Sequence, residues 1–322
     1  MKLTYTLPFR PDISKFLYRS GLRKVLALFL LTCLIQFNSG CSKTDNDRSI
    51  KVEIWHNGGP LDCNTFNKHQ QAWSIQQLAF FISHVELSGE GAEYQTTLSA
   101  TPWQTDDVVL IKPHMPECSA QLNNAKDAKG KVESEIKGET QSTAKSKVKG
   151  AVSQNETPPY DDAATQALKT NSYLQFAVPV DLDSLEQLSF TLAVPFELNH
   201  QNPLSQPSPL NLPSMFWSWR SGHKFFRLDM QGPDKNWVFH LGSVGCTAAS
   251  IMRSPQSECV QPNRVSFDLD KKYDGTKLVM HLDRLITDIP MQNDSSCLFN
   301  SGQESCAVLM SNFKTQAVFE WH

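Results

Sequence analysis

Phe216-Trp217-Ser218-Trp219-Arg220 and Trp237-Val238-Phe239-His240-Leu241-Gly242 are the two runs whose reading decides the fold. Read as strands, the first places Met215, Trp217 and Trp219 on one face. The second places Trp237, Phe239 and Leu241 on one face, with Val238 and His240 on the other. The wider stretch from Phe196 to Cys246 holds three of the chain's seven tryptophans and three of its nine histidines. Its spacers carry Pro203, Pro207, Pro209 and Pro213, which favour extended chain and rule out a long helix. Histidine and tryptophan interleaved at strand spacing describe one of two things: a packed core with a few polar members, or a metal site walled by aromatics.

Outward from this block the pattern stays β-like. Lys51 to Trp55 reads as a first strand, broken by Asn57-Gly58-Gly59-Pro60. Cys63 to Gln71 reads as loop or one helical turn. From Trp73 to Leu87, Leu78, Phe80, Ile82 and His84 alternate with Phe81, Ser83, Val85 and Leu87, which suggests a strand buried on both faces for part of its length. Further strands are expected at 108–112, 173–178, 187–194, 214–220, 224–230, 236–241, 264–269 and 277–285. The tail from Ala307 to His322 fits a final helix or strand. Many short strands with turn signals and no internal repeat predict an all-β single domain, a β-sandwich or barrel, over residues 50–322. Residues 121–159 break the pattern: Lys, Glu, Ser, Thr and Gly with almost no aromatic residue predict a disordered, solvated insertion.

Composition narrows the function classes. The chain has 322 residues, 40% hydrophobic and 20% charged, with net charge −3. Mild acidity argues against nucleic-acid binding, which needs a concentrated basic face. Arg19, Arg23 and Lys24 precede an apolar run from Val25 to Phe37 and the small residues Ser39-Gly40, the pattern of an export signal over 1–40. The run is short for a transmembrane helix. Cys41 directly after Ser39-Gly40 resembles a bacterial lipobox, which predicts cleavage before Cys41, lipid on its thiol, and a polar tether over 41–49. Asn38 stands where leucine is usual, and a plain signal peptide with an incidental Cys41 is the alternative.

Six cysteines then remain: Cys63, Cys118, Cys246, Cys259, Cys297 and Cys306. An even number in an exported chain reads as three disulfides. Local spacing favours Cys246–Cys259 and Cys297–Cys306, which leaves Cys63–Cys118. No C-x-x-C occurs, so thioredoxin-like, zinc-ribbon and covalent-haem signals are all missing.

The candidate ligands are His200, His240 and His84. Each alone reads more simply as a packed or loop histidine, but imidazole suits copper, zinc, iron and nickel. No serine or cysteine nucleophile sits in a recognisable motif and no paired carboxylates stand nearby, so an enzyme is not expected.

The order Phe80-Phe81-Ile82-Ser83-His84-Val85-Glu86-Leu87, Val194-Pro195-Phe196-Glu197-Leu198-Asn199-His200, Met215-Phe216-Trp217-Ser218-Trp219-Arg220-Ser221-Gly222 and Phe239-His240-Leu241-Gly242-Ser243-Val244-Gly245-Cys246 resembles the MbnP-like proteins, also called metallo-mystery pair system four-Cys motif proteins. Cys246, Cys259, Cys297 and Cys306 match the four-cysteine motif. The resemblance implies a copper-binding protein of the periplasm or cell surface, made with a dihaem partner of the MauG and cytochrome c peroxidase type. That partner is expected to oxidise a tryptophan to kynurenine, on which copper binding would depend. His200 and His240 match recurrent histidines of the family, and Trp217 and Trp219 its recurrent tryptophans. His84 falls where relatives often carry an acidic residue. The rival from another class is a structural or adhesive envelope lipoprotein whose histidines merely pack.

Overall fold

The computed structural model describes residues 48–89, 92–94, 97–118, 170–273, 275–292, 295–299 and 303–322. The export segment, Cys41, most of the tether and the whole of 121–159 lie outside the described residues.

The first half of the fold is wound around one strand. β1 (Ser49–His56), β2 (Gly59–Pro60) and β3 (Thr65–Lys68) lead into β4 (Gln71–Gly89), followed by β5 (Ala92–Tyr94) and β6 (Val108–Ile111). After the undescribed segment come β7 (Tyr173–Gln175) and β8 (Gln187–Leu192), then a single helical turn, α1 (Phe196–Asn199). The block that opened the sequence reading supplies β9 (Phe216–Ser218), β10 (Gly222–His223), β11 (Phe226–Gln231) and β12 (Asn236–Leu241). The chain closes with β13 (Val265–Asp270), β14 (Lys277–His281), α2 (Leu282–Leu285), α3 (Glu304–Thr315) and β15 (Phe319–Trp321).

β4 is long because it serves several partners. Its residues pair with β3 at one end, with β11 and β6 in the middle, and with β8 and β5 towards the other end. The order β12-β11-β4-β8-β13, with β3, β5 and β6 also on β4, makes an eight-stranded sheet. Leu78 through Ser83 are all buried, as expected of a strand covered on both faces. A second sheet has the order β15-β14-β1-β2, with β7 on the free edge of β1; β1 and β14 run parallel. Phe319 of this sheet packs against Phe80, Phe190 and Phe267 of the first, with ring centroids 4.9–5.8 Å apart. Each ring removed from water in this way contributes on the order of 1.5–3 kcal/mol. The sandwich reading holds.

Several local expectations are corrected. Residues 65–74 form a hairpin, not loop or helix, with His69 and Gln70 both at positive φ (51° and 62°). That is the backbone of a two-residue hairpin turn, built here without glycine, so the usual signal was missing. The strand expected over 277–285 ends at His281, and the chain turns into α2. The strand expected over 214–220 shrinks to Phe216–Ser218, preceded by a 3-10 turn at Pro213–Met215. Trp219 lies beyond that strand, so the alternation linking it to Trp217 does not reach it. At β4 the alternation of His84 with Ile82 fails. The register slips between Ser83 and Glu86, His84 takes φ 50°, and its side chain is exposed. An extra residue at a bulge re-aims its neighbours.

The tail contains both of its alternatives. α3 buries Cys306, Leu309 and Phe313 at helical spacing, with Glu304 in its first turn and Lys314 in its last, each placed to suit the helix dipole. β15 follows. All three expected disulfides are present: Cys63–Cys118, Cys246–Cys259 and Cys297–Cys306.

Candidate metal centre

The β11–β12 hairpin positions His240. Phe226, Leu228 and Met230 on β11 and Trp237, Phe239 and Leu241 on β12 are buried, so the intervening residues look the other way. Arg227 pairs directly with His240, and Asp229 stands two residues along the same face. Asp229 Oδ1 accepts a hydrogen bond from His240 Nε2 at 2.5 Å, and its Oδ2 accepts from Arg227 Nε at 2.8 Å and from Nη2. Burial works to raise the Asp229 carboxyl, but the bonds from His240 and then Arg227 win and hold it below the usual carboxylate range. Asp229 thereby makes Nε2 the donor nitrogen of His240, so a metal would be taken at Nδ1.

Trp217 covers the next part of this face. Its ring centroid is 6.5 Å from that of His240. A side chain on Gly242 would stand 2.5 Å from Trp217 Cζ3 and 2.7 Å from the carbonyl oxygen of His223, so only glycine lets the indole lie there. Lys224 Nζ sits 5.9 Å from the indole centroid and donates to Ser214 O at 2.8 Å. Burial, reinforced by Arg227, brings its amine down to about 8. The indole forms one wall of a cavity of about 420 Å³ with Arg220, Ser221, Ser243, Gly245, Cys246 and Leu298 among its lining residues.

His200 stands on the other flank, just after α1. Its Nδ1 donates to Trp219 O at 3.1 Å, and its Nε2 faces the Asn199 amide nitrogen at 3.1 Å and Cys259 Sγ at 3.7 Å. Cys259 is bonded to Cys246 in the cavity wall, and the Asn199 amide nitrogen also reaches Ser243 Oγ at 3.4 Å. Asn199 is itself clamped: its Oδ1 accepts from the His223 backbone N–H at 2.7 Å, over Gly222 at φ 75°. A side chain at Gly222 would lie 2.4 Å from that oxygen. Burial pushes the His200 imidazole below its ordinary value, more than the Trp219 carbonyl pulls it back, which favours the neutral, ligating form.

Neither His200 nor His240 is among the cavity's lining residues; each reaches it through a neighbour, His240 through the Trp217 ring and His200 through the Cys246–Cys259 bridge. The donor atoms are not drawn into one cluster. Among the described residues, the groups of three or more His, Cys, Asp or Glu donors within 4.8 Å of one another are His200 with Cys246 and Cys259, and His281 with Glu320 and His322. The cysteines of the first group are spent in a disulfide. His84 is in another place altogether, lining a separate depression with Asp106, Asp107 and Glu197. Trp219 meets His200 through its backbone oxygen and is not among the cavity's lining residues.

Asp229 and Asn199, which orient the two imidazoles, were not singled out in the sequence. Pairing 224–230 with 236–241 as a hairpin would have put Asp229 on the face of His240. Nothing local marks Asn199. His223 is a core histidine: fully buried, with Nδ1 3.0 Å from Asn199 O and Nε2 2.9 Å from Leu210 O.

Asp229 accepts from His240 Nε2 and the Trp219 carbonyl from His200 Nδ1, while His200 Nε2 accepts the Asn199 amide N–H, a bond that would have to give way for that nitrogen to ligate. That is the arrangement in which neighbouring groups set the tautomer of a metal ligand. Imidazole suits copper as it suits zinc, iron and nickel, so these two residues are compatible with such a metal without selecting one.

The fold and this centre define a class: a disulfide-pinned β-sandwich with a cavity walled by Trp217 and the Cys246–Cys259 bridge, and a histidine behind each. The MbnP family model matches residues 46–299, and the chain belongs to the MbnP family. Among solved structures, MbnP from Methylosinus trichosporium is similar in fold, with a TM-score of 0.56 at 16% identity, over 81% of this chain and 86% of that one. No curated protein matches.

Proposed function

We propose that this chain is an exported copper-binding protein whose site is completed by oxidation of Trp217. The observation that carries the reading is the place of Trp217, against His240 on one side and walling the cavity on the other. Two imidazoles alone make a weak, open copper site. Opening the indole between C2 and C3, with two oxygen atoms supplied by an oxidant and C2 released as formate on hydrolysis, leaves an aryl amine and a ketone. Both are donors that tryptophan lacks, and they would arise beside the cavity. The oxidant falls to a dihaem partner of the MauG type. Trp217 is favoured over Trp219 because its ring, not its backbone, faces the site. His200 and His240 are the imidazole ligands in this reading, and His84 is left out of it by its position.

The envelope location and the lipid on Cys41 complete the proposal. A lipid anchor would hold the domain at the membrane, and three disulfides suit an oxidising compartment. The competing reading is a structural envelope protein whose histidines only pack, and the fully buried ring of His223, with both nitrogens against backbone carbonyls, is a precedent for it.

Copper content of protein purified from its native compartment, with and without the dihaem partner, separates the two. The expected result is one copper per chain only with the partner, together with a mass change confined to the Trp217 peptide. Copper at that level in protein with an unaltered Trp217 overturns the role of the modification. Absence of copper from every preparation leaves the structural reading.

A further inference from the structure

The second donor cluster, His281 with Glu320 and His322, lies on the other sheet. His281 ends β14, Glu320 lies within β15, and His322 follows it. β15 pairs with β14 so that Val279 faces Glu320, and β1 flanks the other side of β14 with Trp55 opposite His281. Period-two geometry puts Glu320 and His322 on one face. Glu320 Oε2 is 3.0 Å from His281 Nε2 and 3.4 Å from His322 Nε2. Its other oxygen is occupied by Lys272 Nζ at 2.8 Å and Arg284 Nη1 at 2.7 Å.

We infer that His281, Glu320 and His322 form a binding site for a divalent transition-metal ion of the zinc type, separate from the Trp217 centre. Three observations converge on it. The first is spacing. Ligands on a tetrahedral ion with bonds of about 2.0–2.1 Å stand roughly 3.3 Å from one another, and the carboxylate oxygen already stands 3.0 and 3.4 Å from the two nitrogens. The second is preorganisation. Lys272 and Arg284 lock the carboxylate by its far oxygen, so the near oxygen is presented without a search over rotamers. The Trp55 ring lies against both imidazoles, 5.8 Å from His281 and 5.2 Å from His322, and Tyr273 covers His322 at 4.6 Å. The third is access: the His281 side chain is 4% exposed, while that of His322 is 18% exposed, so the ion enters past His322. Two imidazoles and one carboxylate leave a fourth position open to water or a small ligand. The donor set suits zinc, nickel or copper(II), not calcium or magnesium, which take oxygen ligands.

The hydrogen bonds now joining Glu320 to both imidazoles give way on binding. Each ligating Nε2 surrenders its proton, to Nδ1 if the ring is neutral or to solvent if it is charged.

The test is zinc titration of the metal-stripped full chain by calorimetry, for wild type, His322→Gln and His240→Ala. The expected result is a zinc site present in wild type and His240→Ala, weakened at least about tenfold in His322→Gln, since loss of even a supporting group costs that much. Diethyl pyrocarbonate labelling of wild type, mapped by mass spectrometry, keeps the test independent of how the variant folds. Zinc should protect His322 and leave the exposed His69 reactive. Unchanged zinc affinity in a folded His322→Gln, absence of zinc binding at micromolar concentration in wild type, or equal labelling of His322 with and without zinc overturns the site. None of these outcomes depends on the copper reading.

Discussion

Asp229 holds His240 from the neighbouring strand: its Oδ1 lies 2.5 Å from Nε2, while Arg227 occupies the other oxygen. The carboxylate fixes which imidazole nitrogen is free to ligate, and the guanidinium keeps the carboxylate ionised and aimed. Asp229→Asn keeps the shape but can present an amide N–H to Nε2, which reverses the tautomer. In protein made with the dihaem partner, copper affinity should fall about 10- to 100-fold, the usual cost of losing an orienting group. Competition with a copper chelator measures it. Affinity within twofold of wild type would show that Asp229 does not set the nitrogen through which His240 ligates.

Gly242 and Trp217 give a second handle. Gly242→Ala places a methyl 2.5 Å from the indole and 2.7 Å from the backbone oxygen of His223. The first contact displaces the indole, and the second cannot be relieved by rotating a side chain, so the backbone at His223 has to shift as well. The expected cost is about 1–3 kcal/mol of stability, as for other overpacked sites, read by urea unfolding. The Trp217 peptide should also remain unmodified after incubation with the partner enzyme. Full modification of a folded Gly242→Ala chain would show that the position of the indole is not what the oxidation selects.

How far these features could be read beforehand varied with their range in the chain. The alternation in Trp237–Leu241 correctly put His240 on the face away from the core, because side-chain direction in a regular strand is a local property. The same rule failed at His84 and Trp219. A bulge and a strand end interrupt the period there, and neither leaves a mark in composition. Asp229 and Asn199 escaped notice because their roles come from pairing and from loop contacts with residues 11 and 24 positions away. Two disulfides, Cys246–Cys259 and Cys297–Cys306, were legible because short loops favour local closure, and Cys63–Cys118 followed by elimination. The cluster at His281, Glu320 and His322 joins β14 to β15 across the two helices between them, and His281 reads from the sequence as one more residue in an apolar run.

The Cys246–Cys259 bridge should matter to the site as well as to stability. It closes a separation of 13 residues, for which restriction of the unfolded chain contributes about 2–4 kcal/mol. It also sets Cys259 Sγ 3.7 Å from His200 Nε2. Replacing both cysteines by serine should lower the unfolding free energy by about that amount and weaken copper retention. Replacing Cys63 and Cys118 should produce a similar loss of stability with copper retention unchanged. Equal copper loss from the two double variants would reduce both bridges to fold stabilisers.

Glu320 sets the acid limit of the small sheet. Burial alone would raise its carboxyl, but hydrogen bonds from Lys272 and Arg284, the Arg284 charge and the His322 bond outweigh it and bring the value to about 2. An unfolded glutamate titrates near its ordinary value of about 4.3. Above that pH the group is ionised in both states and its stabilising contribution is complete. As pH falls towards 2 the unfolded chain takes up the proton first, so the contribution is lost progressively across that window. In metal-free buffer with a chelator present, Glu320→Gln should therefore be less stable than wild type at pH 6, with the gap narrowing as pH drops from about 4.5 to 2. Thermal unfolding of the two proteins across this range checks the sign. A gap that stays constant with pH would mean that the carboxylate charge contributes nothing to the junction of β14 and β15.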